Sequence, residues 1–416
     1  MTRSVVTPGR AGQRLGFHLM LAVALGACAP GSSPPASERP PALLLVGIDG
    51  FRWDYVDRAP AVHLRALAAR GVRAERLVPP FPTKTFPSFY TIATGLHPAH
   101  HGIVANTMRD PVHGRFTLSD RDAVEDPAWW SGEPIWATAI RRGYRATAMF
   151  WPGSEAPVGG VRPTEWQKFD ASIPYHDRVQ KVLGWLAAPA DRAPVFSTLY
   201  LDGVDAIGHR HGPESPEVDV AIGDVDRAIG ELLAGIDSLD LTDRINVIVV
   251  SDHGMAGISA DRVIYLDDYL DPEWAEIIDL NPVAAIEPAA GRERQVYQAL
   301  KGVHPHLAVY RKTETPDRLR YRSNPRIAPI VAIAEEGWTI SLRRLDRPVR
   351  DRGNHGFDPA ARSMSGLLVA AGPGFASGRI VPPLSSIHLY ELMCHLLGLD
   401  PSPNDGTLDS ARVLLR

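Results

Sequence analysis

Leu43-Leu44-Leu45-Val46-Gly47-Ile48-Asp49-Gly50 is the stretch on which the fold turns. The run from Leu43 to Ile48 is apolar without alternation, so it has no wet face. It reads as a strand buried on both sides, as strands of a parallel sheet are. The run stops at an acid and a glycine, which places Asp49 in the turn leaving the strand. Working outward, helical spacing covers residues 61–70 and closes at Gly71. Further strands are expected over 145–150, 195–200, 245–250 and 366–371, and amphipathic helices over 135–142, 177–186 and 218–239. This alternation predicts an α/β fold with a mostly parallel sheet covered by helices on both faces. Ligands in such sheets bind outside the carboxyl ends of the strands. Residues 270–345 break the rhythm: they are rich in Pro, Arg and Glu, with short apolar runs at 330–333 and 338–342. They read as a smaller α+β insertion ahead of the last strand. No internal repeat is present.

The chain has 416 residues, 44% hydrophobic and 22% charged, an ordinary globular composition. Lys and Arg number 44 against 48 Asp and Glu, a net charge of −4. That balance argues against polymeric nucleic acid as a partner but leaves room for a small phosphate ligand. Two cysteines, Cys28 and Cys394, exclude a disulfide framework and a thiolate zinc cluster. Residues 1–14 carry Arg3, Arg10 and Arg14 without an acid, and an apolar run follows over 15–27. The run is too short to span a bilayer, so residues 1–27 read as a secretory signal peptide. Its end, Leu25-Gly26-Ala27-Cys28, resembles a bacterial lipobox, which implies lipidation of Cys28. A plain signal cut near Ala27 or Ala29 is the simpler alternative. Residues 28–41, proline-rich and polar, then form a flexible tether, and 42–416 the catalytic domain. The expectation is an exported protein of the periplasm or outer membrane, held to the membrane by its N-terminal lipid.

The chemistry-bearing residues cluster at strand ends. Asp49 follows one strand, Asp252 and His253 follow another, and Asp205 and His209, four apart, follow a third. His355 lies in Asn354-His355-Gly356, before the last strand. Carboxylates and imidazoles together suit zinc or manganese, not calcium. Singly each residue has a bland reading: an acid after a strand caps a helix, and a lone histidine is structural. Jointly the bland reading weakens, because three acids and three histidines share the carboxyl-end face, each followed by glycine within three residues. Hydroxyls gather in one segment, with Thr83, Thr85, Ser88 and Thr91 all candidates. Pro87 suits the first turn of a helix over 88–94, which puts Thr85 just before a helix N-terminus able to hold a phosphate. A plain N-cap role is compatible with that. Ser88 and Thr91 fall inside the helix, where their hydroxyls are expected to bond back to the preceding turn.

Nine blocks in order now resemble one family. They are Asp49-Gly50-Phe51-Arg52, Pro82-Thr83-Lys84-Thr85-Phe86-Pro87, Thr94-Gly95-Leu96, His101-Gly102-Ile103, Phe150-Trp151-Pro152-Gly153-Ser154, Asp205 with Gly208-His209, His211-Gly212-Pro213, Ser251-Asp252-His253-Gly254-Met255 and Asn354-His355-Gly356. The chain resembles the nucleotide pyrophosphatase/phosphodiesterase family of the alkaline phosphatase superfamily, type I phosphodiesterases among them. The resemblance implies an alkaline-phosphatase-like fold and two zinc ions. It assigns one zinc to Asp49, Thr85, Asp252 and His253, and the other to Asp205, His209 and His355. It implies Thr85 as nucleophile and Asn106 as phosphate-binding asparagine. Phe86 and Tyr200 match an aromatic pair that sandwiches a nucleobase. The stretch Asp202-Gly203-Val204-Asp205 departs from the family pattern, so Asp202 competes with Asp205 as ligand; the spacing to His209 favours Asp205. The implied reaction is zinc-dependent hydrolysis of nucleotide diesters or pyrophosphates to nucleoside monophosphates through a phosphothreonine. Rival readings are a choline-phosphodiester or phospholipid hydrolase, a monoesterase or phosphonate hydrolase of the same fold, and a non-catalytic surface lipoprotein. Nothing in the sequence fixes an oligomeric state.

Overall fold

The computed structural model describes residues 1–2, 39–345 and 349–416, so Cys28 and the expected signal and tether lie outside it. The strands of the main sheet are β1 (Ala42–Ile48), β2 (Val72–Ala74), β3 (Ala146–Met149), β4 (Glu165–Trp166), β5 (Phe196–Leu201) and β6 (Ile245–Val250). A second segment supplies β7 (Ala275–Asp279), β8 (Val283–Pro288), β9 (Leu307–Arg311) and β10 (Ile330–Ala334). The chain then returns to the main sheet with β11 (Leu368–Ala371) and β12 (Arg379–Val381). The main sheet has eight strands in the order β12-β2-β11-β6-β1-β5-β3-β4, with β1 central and hydrogen-bonded in parallel to β5 and β6.

β1 shows why a run without alternation belongs in the middle. Leu43 and Leu45 enter the core on one face, and Leu44, Val46 and Ile48 enter the core on the other. The helices are α1 (Val62–Arg70), α2 (Thr85–Thr94), α3 (Ile135–Arg141), α4 (Tyr175–Leu186), α5 (Gly203–His211) and α6 (Pro216–Ser238), then α7 (Glu293–Leu300) and α8 (Leu389–Leu396). α1, α4 and α6 cover one face of the sheet; α2, α3 and α8 cover the other. α6 buries Val218, Ile222, Val225, Ile229, Leu232 and Ile236, a stripe at three- and four-residue spacing. Each such side chain contributes about 1.5–3 kcal/mol on burial.

The strand expected over 366–371 forms as β11, but it runs antiparallel to both β6 and β2. The reason is where the chain comes from. Asn354 and His355 lie at the carboxyl-end edge of the sheet, and no crossover helix intervenes before Leu368. A strand entered from that edge can only run back down.

Residues 275–334 hold the four-stranded antiparallel sheet β7-β8-β10-β9. α7 packs Val296, Tyr297 and Leu300 into its own apolar cluster. Pairing in this region begins upstream of residue 270, because Val263–Tyr265 runs parallel to Thr339–Ser341. Two buried ion pairs fasten the segment to the rest. Lys84 Nζ meets Asp279 Oδ2 at 2.5 Å, and Arg326 Nε donates to Asp110 Oδ2 at 2.7 Å. Among the described residues, no helix is long and apolar enough to cross a membrane.

Candidate active site

Three neighbouring strands deliver the site. Asp49 follows β1, Asp252 and His253 follow β6, and Asp205 and His209 sit one turn apart on α5, directly after β5. His355 enters from the loop before β11. The side chains form two trios, Asp49/Asp252/His253 and Asp205/His209/His355, each with its ligating atoms within 4.8 Å of one another. His253 Nε2 lies 2.9 Å from Asp252 Oδ2 and 3.4 Å from Asp49 Oδ1. In the second trio, Asp205 Oδ1 lies 3.4 Å from His209 Nε2 and 3.6 Å from His355 Nε2. The trios share a wall: the His253 and His355 rings stack with centroids 3.5 Å apart.

Gly50 lets the loop carrying Asp49 meet the first turn of α5. Its φ is +65°, and a Cβ there would fall 2.8 Å from the Asp205 backbone. The glycine thus serves the approach of loop to helix.

The residues fit divalent cations on two independent grounds. First, Asp49 Oδ1, Asp205 Oδ1 and Asp252 Oδ2 are buried without a hydrogen-bond partner. Uncompensated buried carboxylates are costly, and a cation removes that cost. Second, each histidine spends its Nδ1 on a backbone carbonyl: His209 on Gly353 at 3.0 Å, His253 on Gly254 at 2.9 Å, His355 on Thr83 at 2.8 Å. A carbonyl only accepts, so Nδ1 carries the proton and the Nε2 lone pair faces the site.

Without a cation the electrostatics are strained. Burial, then the charges of Asp252 and Asp205, hold Asp49 well above the usual carboxylate range. Burial also raises Asp205, against the pull of His209 and His253. Burial and the neighbouring His253 and His209 push His355 well below an ordinary imidazole. Burial opposes protonation of His253, but the adjacent Asp252 carboxylate lifts it net upward.

Thr85 is the first residue of α2, which begins three residues ahead of the helix expected over 88–94; Lys84 is the N-cap and makes no side-chain cap bond. The helix starts early because Lys84 is extended while Thr85 already turns, leaving Pro87 at the third helical position. The Phe86 N–H is taken by Asn106 Oδ1 at 3.1 Å, Pro87 has none, and Ser88 bonds to the Lys84 carbonyl. The Thr85 N–H is therefore the unspent donor of this helix end. Thr85 is 7% exposed and its Oγ1 lies 3.4 Å from His253 Nε2. The other hydroxyls are committed or enclosed. Thr83 Oγ1 donates to the Phe357 carbonyl and accepts from the Gly356 N–H. Thr91 reaches forward to the Leu96 carbonyl and to His101, where a bond back along the helix was expected. Ser88 is fully buried.

A cavity of about 350 Å³ opens from the trios between aromatic walls. Phe86 and Asn106 line it, and so does Tyr200. Tyr200 has a second commitment: its hydroxyl donates to Asp49 Oδ2 at 2.5 Å, and its ring meets Phe89 and Phe169 edge-on. The ring exposed at the cavity rim is Phe169, 39% accessible. Asp202, the competing acid, pairs with the buried Arg178 at 2.7 Å and stands outside both trios. Sequence reasoning passed over Phe169, Arg121 and Glu155, all cavity-lining. Glu155 directly follows the block ending in Ser154 and was within reach of that signal; the other two carry no local pattern.

One consequence is testable at Tyr200. Burial, then the Asp49 charge, keep the phenol protonated as a donor. Tyr200→Phe should weaken metal retention by about 10–100-fold, the usual effect of losing a bond that orients a ligand. Competition with a chelator measures this. Wild-type retention would mean that Asp49 is oriented without the phenol.

The family model for type I phosphodiesterase / nucleotide pyrophosphatase matches residues 43–358. The chain belongs to this family, within the alkaline phosphatase superfamily. The family is one of metal-dependent hydrolases, and the chain is an enzyme of that class. Human ectonucleotide pyrophosphatase/phosphodiesterase family member 5 is 38% identical over 375 residues, covering 90% of this chain and 78% of the relative. The bis(5'-adenosyl)-triphosphatase of Bos taurus is 41% identical over 384 residues, covering 91% of this chain and 83% of that protein. The solved murine family member 5 superposes with a TM-score of 0.87 at 40% identity, covering 90% of this chain and all of that one. A further murine structure is an inactive threonine-to-alanine variant in complex with AMP, at 39% identity, a TM-score of 0.87, and 90% and 100% coverage.

Proposed function

We propose that the chain hydrolyses phosphodiester or pyrophosphate linkages of small nucleotides, releasing a nucleoside monophosphate, with phosphate passing through Thr85. The observation that carries this is the joint placement of Thr85. Its hydroxyl lies beside His253 of the first trio, at a helix N-terminus with an unspent N–H, on the lining of an aromatic-walled cavity. Asp49, Asp252, His253 and Thr85 would hold one zinc ion, and Asp205, His209 and His355 the other, since mixed oxygen and nitrogen donors suit zinc. Bound zinc supplies Lewis acidity toward phosphoryl oxygens and lowers the pKa of an attacking hydroxyl.

The chain's own residues account for the rest. Thr85 Oγ1 attacks phosphorus as it gives up its proton, the bond to the leaving oxygen breaks and that oxygen departs with the leaving group, and water later attacks the phosphothreonine, which still carries the nucleoside, to release the nucleoside monophosphate and return the threonine hydroxyl. The Thr85 N–H and the Asn106 amide donate to the phosphoryl oxygens, and Asn106 is fixed for this because its Oδ1 is already tied to Phe86. Phe86, Tyr200 and Phe169 offer apolar walls for a base, with Phe169 presenting the accessible ring. The relatives support the same reading, one named a bis(5'-adenosyl)-triphosphatase and another seen with AMP. A choline headgroup finds less support. A quaternary ammonium wants aromatic faces and free negative charge, whereas Glu155 of this cavity is already bonded to Arg121 and to the Phe169 N–H.

The test is a substrate panel on zinc-loaded enzyme: the p-nitrophenyl ester of thymidine monophosphate, glycerophosphocholine and p-nitrophenyl phosphate. The nucleotide ester should lead in kcat/KM by at least about tenfold, the ratio that 1.4 kcal/mol of transition-state binding produces. Preference for glycerophosphocholine would overturn the assignment.

A further inference from the structure

Outside the two trios, Arg121 and Glu155 are the charged residues lining the cavity among the described residues. They come from separate segments and meet in an ion pair. Arg121 opens the short helix Arg121–Glu125 beside Leu118, and Glu155 follows the Trp151 turn. Glu155 is nearly buried, its side chain 7% exposed, and both carboxylate oxygens are spent. One accepts from Arg121 Nη2 and the other from the Phe169 N–H at 3.2 Å. Arg121 is 38% exposed, and its Nε and Nη1 donate to no protein group among the described residues. The pair therefore offers the cavity a braced guanidinium with surplus donors and no free acceptor.

We propose that Arg121, braced by Glu155, reads the edge of the nucleobase and selects rings with paired acceptors, guanine over adenine. This rests on the reading that a nucleobase occupies the cavity. Guanine carries O6 and N7 side by side, which a planar guanidinium meets with two parallel hydrogen bonds. Adenine has an amine where guanine has O6, so a donor would face a donor. Glu155 is a poor acceptor for that amine, because it is nearly buried and already holds Arg121 and the loop carrying Phe169.

The experiment compares kcat/KM for the 5'-p-nitrophenyl phosphates of guanosine and adenosine, with bis(p-nitrophenyl) phosphate alongside. Wild type should favour guanosine by about tenfold or more, the lower end for a bidentate contact. Arg121→Met should bring the ratio close to one, chiefly by raising KM for the guanosine ester. Arg121→Lys should do the same, since it keeps the charge and loses the fork. Thermal melts check that each variant is folded. A wild-type ratio of one or below, or a ratio that survives both substitutions, overturns the proposal. Cleavage of the bis-aryl ester with neither nucleoside ester turned over would instead sink the nucleotide reading beneath it.

Discussion

Thr85→Ala should abolish turnover, lowering kcat on the order of 10⁴-fold or more, the scale seen when a covalent nucleophile is removed. The choice of Thr85 over its neighbours is structural. Thr83 is tied between the Phe357 carbonyl and the Gly356 N–H, Thr91 to Leu96 and His101, and Ser88 is enclosed in the core. Only Thr85 combines proximity to His253 with an opening to the cavity. Most metal should stay bound, because all six residues of the two trios remain. Thr85→Ser should keep measurable activity, since it retains the oxygen and loses a methyl group that helps position it. Quenching wild type during turnover should leave phosphate on the peptide containing Thr85. Near-wild-type rates in Thr85→Ala, or phosphate mapped to Thr83, would refute the mechanism.

Removing metal should cost stability as well as activity, and the cost should shrink as pH falls. At a thousandfold excess over Kd, each ion contributes about 4 kcal/mol. Chelation should then lower Tm on the order of 10 °C. The sign with pH follows from the buried acids. In the metal-free protein Asp49 and Asp205 have folded pKa values above the ordinary 3.8. These two acids then bind more protons in the folded state than in the unfolded one, so their own contribution is fullest at or below about pH 4 and declines as pH rises through the raised values, while His355, pushed down, contributes with the opposite sign as pH falls below about 6.5. The loaded protein should lose stability toward acid pH, where protons compete with metal for the same carboxylates and imidazoles. Melts of chelated and loaded protein from pH 4 to 8 should lie furthest apart at neutral pH and converge toward the acid end. Parallel curves, or elemental analysis finding fewer than two ions in the loaded protein, would count against the two-ion site.

Much of the site was legible because its signals are local. An unalternating apolar run marks a buried strand, and Asp49, Asp252 and His253 each sit within three residues of such a run's end. The Asp205–His209 spacing is one helical turn, and α5 supplies that turn. The errors were equally local in origin. The sequence pattern starts this helix near Pro87 and leaves Thr85 before it, because the first turn is a position that proline favours but does not require; the helix begins at Thr85 itself. Tyr200 was assigned to base stacking alone because nothing in its neighbourhood announces a bond to a carboxylate 151 residues away.

The sequence by itself determined the α/β class, the strand ends that carry the acids and histidines, and the family. Each follows from periodicity, or from short blocks whose order along the chain is their information. The expected export signal and the lipidation of Cys28 likewise rest on sequence alone. Tertiary structure decided the rest: which trio each acid and histidine joins, that Asp202 serves Arg178, that β11 runs antiparallel, and that Arg121 and Glu155, 34 residues apart, pair at one cavity. These are pairings between segments far apart in the chain, brought together by how the loops and helices pack over the sheet. Where a loop side chain lands depends on every segment packed beneath it, and no local spacing encodes that.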